Sequence, residues 1–361
     1  MQTSRAAIFD GPREPLRLDV LPIAPLTPQS ALVRVRCATL CGSDLHTLTG
    51  KRSAPAPGIL GHEIVGEVVA LPEEPLRDHA GQPLQIGQRV TWALAAACGD
   101  CFFCQHDLPQ KCERLFKYGH EPISHAPALS GGLAEYCQLV PGTAVFEVPS
   151  VLPDEIACPA ACATATVAGA LRVAGLTAGE VLLVQGAGML GLTACAMAAW
   201  LGAQQIVLFD PDPERAQLAT QFGATRAFSA RDDAGELERT VAELTSGRGA
   251  DAVLEMSGAV EAMVRGVDAL RIGGRYVWVG AVYPTPPVPV AAETIVRRCL
   301  TIRGLHNYHP SDLHRALEFL AAAFDHLPLS ALVPRSFRLA DANAAVDLAI
   351  RERPHRVAIV P

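Results

Sequence analysis

The sequence predicts an α/β protein of two domains, a doubly wound parallel sheet and an irregular, β-rich partner that flanks it in the chain. Three observations carry that expectation. The chain has 361 residues, too many for one comfortable hydrophobic core. Near residue 164 its texture changes from short β-like runs to alternating strands and Ala-rich helices. Within the second region a glycine turn directly follows an apolar run, V-L-L-V-Q-G-A-G-M-L-G. The boundaries expected are 1–163 with 304–361 for the β-rich domain and 164–303 for the sheet domain.

In order along the chain, β-like runs fall at 31–36, 64–70, 89–93 and 133–140, separated by Gly and Pro. They suit a mostly antiparallel domain. Residues 72–88, with Pro72, Pro75, Gly81, Pro83 and Gly87, read as an exposed loop. Candidate parallel strands follow at 181–185, 205–209, 252–255 and 275–279, with helical stretches between them. The alternation stops near 303, and the run 356–360 reads as a strand rejoining the first domain.

Composition excludes several classes of function. Half the residues are hydrophobic, 19% are charged, and the formal net charge is −7. A nucleic-acid partner would need clustered Lys and Arg, so none is expected. The N-terminus lacks an apolar signal core. Residues 181–209 carry no charge, but Gly186, Gly188, Gly191 and Gly202 break the run, so a buried strand, turn and helix explain it better than a membrane span. The expected location is the cytoplasm, where the eleven cysteines stay reduced and metal binding outranks disulfides.

Four of those cysteines, Cys98, Cys101, Cys104 and Cys112, are spaced by two, two and seven residues. Thiols so close in sequence can converge on one tetrahedral ion, and zinc is the redox-silent cation that prefers an all-sulfur site. Core cysteines do not come in a run studded with Gly, Asp, Gln and Lys. A structural zinc is expected. Cys37, Cys137, Cys158, Cys195 and Cys299 read as small buried hydrophobes. His120, His125, His306 and His309 read as loop or packing residues, with lining of the cleft as the alternative.

Gly186, Gly188 and Gly191 form G-x-G-x-x-G after the strand 181–185. Gly186 permits the tight turn, Gly188 lets the backbone approach a pyrophosphate, and Gly191 allows close helix packing. The helix start offers free N–H groups to the phosphates. A second strand ends at Asp210, nineteen residues beyond Gly191. Its carboxylate is placed to accept from ribose hydroxyls and to repel a 2′-phosphate, so NAD is expected over NADP. Arg215 lies close enough in sequence to soften that repulsion and permit minor NADP use.

Taken together, the cysteine lobe, the G-H-E segment at 61–63, T-L-C-G-S-D-L-H at 39–46 and the glycine turn resemble the zinc-dependent medium-chain alcohol dehydrogenase family, in that family's order and over nearly the whole chain. The resemblance implies a GroES-like catalytic domain and a Rossmann domain. It implies two zincs per chain, one structural and one catalytic, the latter held by Cys41, His62 and a third ligand. Cys158 and Cys162 both fit that third place, and Cys162 is preferred because Thr166, a cofactor contact in the Cys-bearing branch, follows it by four residues. Such a set leaves an open position where an alcohol oxygen is polarised. It further implies that Ser43 and His46 relay the alcohol proton, that Asp44 accepts from the His62 ring, that Glu63 is an outer partner or transient fourth ligand, and that Arg356 contacts the pyrophosphate.

The run C-A-T-A-T-V-A-G-A-L with K-Y-G-H-E is similar to a subgroup associated with phosphonate catabolism and to dehydrogenases of bulky cyclic secondary alcohols. Gly42 departs from the family members that carry a phosphate-binding arginine there, which leaves pyrophosphate binding to other groups. The expected activity is NAD-linked interconversion of an alcohol and its ketone or aldehyde, by a homodimer or homotetramer with no membrane partner. The alternatives are a polyol or amino-alcohol dehydrogenase, a non-catalytic dinucleotide-binding protein, and a zinc-free quinone reductase-like enzyme.

Overall fold

The uncharged run around the glycine turn folds as strand, helix and strand. The computed structural model describes residues 2–232 and 235–361. In it Val181–Gln185 and Gln205–Phe209 are adjacent parallel strands, joined by the helix Met189–Trp200. Val181–Gln185 is buried along its whole length, as a central parallel strand covered on both faces must be. Among the described residues no single helix is long and apolar enough to cross a membrane.

The chain divides into two compact units. The second unit spans 163–308 and 325–328. Its six-stranded parallel sheet has the order Arg226–Phe228, Gln205–Phe209, Val181–Gln185, Ala250–Glu255, Leu270–Trp278, Thr301–Gly304. By position in the chain that order is 3-2-1-4-5-6. The direction of winding reverses between Val181–Gln185 and Ala250–Glu255, which opens a crevice at the carboxyl ends of the strands. Its core runs from Leu183, Val207 and Val253 to Leu270 and Tyr276. The expected strands 252–255 and 275–279 begin two and five residues earlier, at Ala250 and Leu270, because neighbouring strands continue the pairing across a register shift.

The first unit comprises 1–162, 309–324 and 329–361. Its main sheet is built on Ala31–Leu40, which pairs antiparallel with Glu63–Ala70, Tyr136–Leu139 and Val357–Val360. The C-terminal run thus rejoins the first unit. The β-like run 133–140 narrows to Tyr136–Leu139, since Leu133 instead bonds the turn at Leu60 and the strand at Ala7. A hairpin of Thr3–Phe9 with Arg17–Pro22, not foreseen from the sequence, joins a second small sheet. Trp92, Tyr118 and Phe9 are each fully buried, worth roughly 1.5–3 kcal/mol apiece as transferred apolar surface. Cys37, Cys137, Cys158 and Cys195 are buried as expected, but Cys299 is exposed. It follows the short helix Ala292–Arg297 at φ +50°, in a turn that leads to an edge strand of the sheet.

Candidate metal and cofactor sites

The cysteine lobe draws its four sulfurs together without help from a large core. Sγ–Sγ separations are 3.3 Å for Cys98–Cys112, 3.5 Å for Cys101–Cys104, and 3.9 Å for Cys98–Cys104 and Cys101–Cys112. Four thiolates around a tetrahedral zinc lie about 3.8 Å apart, so the set fits that ion. The backbone N–H groups of Cys98 and Arg114 both donate to Cys112 Sγ at 3.3 Å, as befits an anionic sulfur. Cys101 is pulled down to about 6, first by a backbone hydrogen bond from Glu113.

A second donor cluster forms where the main sheet runs out. Cys41 ends Ala31–Leu40 and opens the helix Gly42–Leu48, while His62 precedes Glu63–Ala70. The pairing Thr39↔Glu63 sets the two segments side by side. Cys162 terminates the turn Cys158–Ala161, which packs on the strand Glu63–Ala70. Donor atoms of Cys41, His62, Glu63 and Cys162 all lie within 4.8 Å of one another. Cys158, the other candidate ligand, points elsewhere, its Sγ donating to the Cys37 carbonyl at 3.1 Å.

Asp44 organises this cluster. It is 2% exposed, and its Oδ2 accepts from the Cys41 N–H at 2.8 Å, which locks the loop as a capping box. Its Oδ1 accepts from the Gly61 N–H and lies 3.3 Å from His62 Nδ1. The latter contact is one of charge rather than an aligned hydrogen bond. It turns Nε2 toward the thiols and Ser43, whose Oγ is 3.5 Å away. Burial works against a charged His62, but Asp44 and Cys41 outweigh it and raise the imidazole to about 10. Of the two thiols, Cys41 is held well below its usual range, chiefly by the hydrogen bond from Cys162, which is itself pushed up. Two sulfurs, one imidazole nitrogen and a carboxylate-fixed tautomer fit zinc, and metal uptake there must displace protons.

Glu63 is fully buried and bound on both oxygens. Arg356 donates to Oε2 through Nε at 2.6 Å and to Oε1 through Nη2 at 2.7 Å, and Thr39 Oγ1 adds 2.6 Å to Oε2. Burial lifts the Glu63 carboxyl above its usual range and Arg356 opposes the lift. Arg356 Nη1 donates to the His355 carbonyl, and Nη2 approaches Cys41 Sγ at 3.5 Å. This arginine therefore sits within the thiol cluster, a placement the sequence did not suggest. His120, read chiefly as a loop or packing residue, also borders the cluster: its ring lies 5.2 Å from that of His62, and burial lowers its pKa well below the usual range. Ser43 and His46 occupy one face of the Gly42–Leu48 helix, three residues apart.

In the second unit the three glycines differ in what they permit. Gly186 has φ +100°, and its N–H donates to the Phe209 carbonyl at 2.7 Å. A Cβ on Gly191 would stand 1.7 Å from the Gly186 oxygen, so only glycine lets the helix seat. A Cβ on Gly188 would meet nothing within 4 Å; the space before this helix N-terminus is open, as a pyrophosphate requires. Asp210 closes the turn, accepting from the Ala187 N–H at 2.6 Å and the Asp212 N–H at 2.9 Å. Arg215 lies in the first turn of Pro213–Leu218, capped by Asp212, and Thr166 is buried in Ala163–Ala174. Beside the turn a cavity of about 290 Å³ is lined by Gln185, Gly186, Phe209, Pro211 and Ser257. These residues fit a dinucleotide.

Comparison with known proteins agrees with this layout. Residues 27–150 match the family described as "Alcohol dehydrogenase GroES-like domain" and 190–322 match "Zinc-binding dehydrogenase". The chain is 32% identical to 5-exo-hydroxycamphor dehydrogenase of Pseudomonas putida over 355 residues, 96% of each chain. It is 28% identical to L-threonine 3-dehydrogenase of Escherichia coli K12 over 336 residues, 91% of each. A crystal structure of alcohol dehydrogenase from Thermotoga maritima superposes with a TM-score of 0.94 at 29% identity, covering all of both chains. Alcohol dehydrogenase from Thermus sp. ATN1 gives 0.85 at 31% identity over 99% of each. The chain belongs to the zinc-dependent medium-chain alcohol dehydrogenases and is an enzyme of alcohol oxidoreduction.

Proposed function

We propose that this enzyme oxidises a secondary alcohol with NAD at a centre formed by Cys41, His62 and Cys162. The observation that carries the reading is the convergence of those three donors, with Glu63, within 4.8 Å. When bound, zinc there supplies Lewis-acid polarisation of the alcohol oxygen, and NAD supplies the hydride acceptor.

The chain's own residues do the rest. Asp44 holds the His62 ring so that Nδ1 keeps its proton and Nε2 faces the thiols. Ser43 Oγ takes the alcohol proton and passes it toward His46. Burial, then Lys51, keeps His46 below its usual 6.5, so its ring is a neutral acceptor at pH 7. Glu63, bridged to Arg356, acts as an outer partner that counters the arginine beside the Cys41 thiolate. Asp210 favours NAD over NADP: both of its oxygens retain acceptor capacity for ribose hydroxyls, and its charge repels a 2′-phosphate. Both curated relatives are named for molecules that carry a secondary hydroxyl, which supports that substrate class.

The test is NAD reduction followed at 340 nm with primary alcohols, polyols and cyclic secondary alcohols, in protein of measured zinc content. Two zincs per chain and chelator-sensitive activity on secondary alcohols are expected. Chelator-resistant activity, or a preference for NADP, overturns the assignment.

A further inference from the structure

One buried carboxylate takes no part in the scheme above. Glu255 is the last residue of the strand Ala250–Glu255 and lies opposite Gln185, the last residue of Val181–Gln185. The two strands thus end side by side where the winding of the sheet reverses, the place at which an open parallel sheet takes its ligand. Glu255 is 0% exposed, and among the described residues no cation pairs with it and nothing donates to its Oε2. Burial of a carboxylate is costly, so the bonds that Oε1 makes must offset it.

Those bonds all go to one turn. Glu255 Oε1 accepts from the Ser257 N–H at 2.6 Å, the Ser257 hydroxyl at 2.6 Å and the Gly258 N–H at 2.7 Å. The neighbouring main-chain carbonyls are engaged elsewhere. That of Glu255 accepts from the Val279 and Gly280 N–H groups at 3.0 and 3.1 Å, and that of Gln185 from the Met256 N–H at 2.9 Å. The turn is also wedged on both sides. A Cβ on Gly186 would stand 3.2 Å from the Ser257 Cβ, and one on Gly280 would stand 2.2 Å from the Gly258 nitrogen. Gly258 is buried, whereas Ser257 and Ala259 are exposed and line the cavity of about 290 Å³ beside Gly186. One side of the turn is therefore bound by Glu255, and the other is a wall of the space that fits the dinucleotide.

We infer that Glu255 is a positioning residue for the cofactor: its Oε1 fixes the Ser257–Ala259 turn against the glycine turn and so sets the affinity for NAD. The reason is geometric. Two backbone N–H groups and a hydroxyl converge on a point that no free carbonyl reaches, and the Glu255 side chain has the length to bring an oxygen there. An acceptor one methylene short of that point, or none, leaves buried donors unpaired. The turn then relaxes into the cavity, and the wall that the cofactor packs against moves. A carboxylate oxygen makes these bonds stronger than an amide oxygen does, but its placement decides the effect. The inference rests on the dinucleotide reading of this crevice and is independent of the metal centre.

The experiment titrates NADH, followed by its fluorescence, into the zinc-loaded wild type and into Glu255→Gln, Glu255→Asp and Glu255→Leu, with thermal melting as the check of fold. The NAD KM and kcat are measured alongside on 2-butanol. Glu255→Gln keeps an oxygen at the right distance without the charge, Glu255→Asp keeps the charge on a shorter side chain, and Glu255→Leu keeps only the bulk. The NADH Kd is expected to rise about threefold in Glu255→Gln and about tenfold or more in the other two. The NAD KM should follow it, and kcat should fall less. Tighter NADH binding by Glu255→Asp than by Glu255→Gln would show that charge and not placement matters, and overturns the inference. A tenfold loss in Glu255→Gln does the same, and so does wild-type affinity in a folded Glu255→Asp or Glu255→Leu. The expected order of affinities with no alcohol oxidised by any form would sink the proposed reaction but keep Glu255 in its role; oxidation of 2-butanol with NADH affinity indifferent to all three substitutions would do the reverse.

Discussion

Ser43 and His46 lie three residues apart on the Gly42–Leu48 helix, and the role given to them turns on a protonation state. Burial, then Lys51, disfavours the charged ring of His46, so the neutral base persists to lower pH than in a free histidine. Wild-type activity should therefore be lost only as pH falls below 6.5. His46→Gln is expected to cut kcat/KM about 100-fold at pH 7, to lose that inflection, and to recover partly with added imidazole or phosphate buffer. A pH–rate profile unchanged by the substitution removes His46 from the proton path. At this scale the sequence revealed only residues that carry a motif. Cys41 and His62 stand in recognisable strings, whereas the Glu63–Arg356 pair joins positions 293 residues apart and is made by strand pairing. His120 stood in the K-Y-G-H-E string without a role, since its environment comes from a loop pressed onto Gly61.

Elements were legible where one pattern decided them. Val181–Gln185 and Gln205–Phe209 match the expected ranges residue for residue, because each carries four consecutive apolar residues beside one Gln and is followed by Gly or Asp. The hairpin Thr3–Phe9 with Arg17–Pro22 escaped notice although Leu18 and Val20 alternate with Arg17 and Asp19; the run is short, and both of those apolar side chains stay exposed rather than facing a core. The turn between sheet and helix yields a sharper prediction, since its glycines serve different ends. Gly191→Ala sets a Cβ against the Gly186 oxygen and should destabilise the protein by roughly 1–3 kcal/mol in urea unfolding. Gly188→Ala meets open space at a φ of −73°, so stability should hold while NAD binding weakens about tenfold or more, ~1.4 kcal/mol. Equal stability losses in the two variants would remove the distinction between packing and ligand clearance.

On the scale of the whole molecule, both donor clusters belong to the first unit and the glycine turn to the second. Stripping metal with a chelator should abolish alcohol oxidation and lower the thermal midpoint, yet leave NADH binding measurable by its fluorescence. Loss of NADH binding in parallel with zinc would show that the two units do not act separately. What the sequence determined alone was everything encoded within one short window: the sulfur lobe, the glycine turn, the apolar strands and the change of texture between regions. Metal spacing, turn chemistry and hydrophobic periodicity all act over a few residues, so they are written locally. The tertiary structure alone decided which cysteine, 158 or 162, faces His62, and what Arg356 holds. Those outcomes depend on burial and charge summed over segments far apart in the chain, and no window of sequence contains that sum.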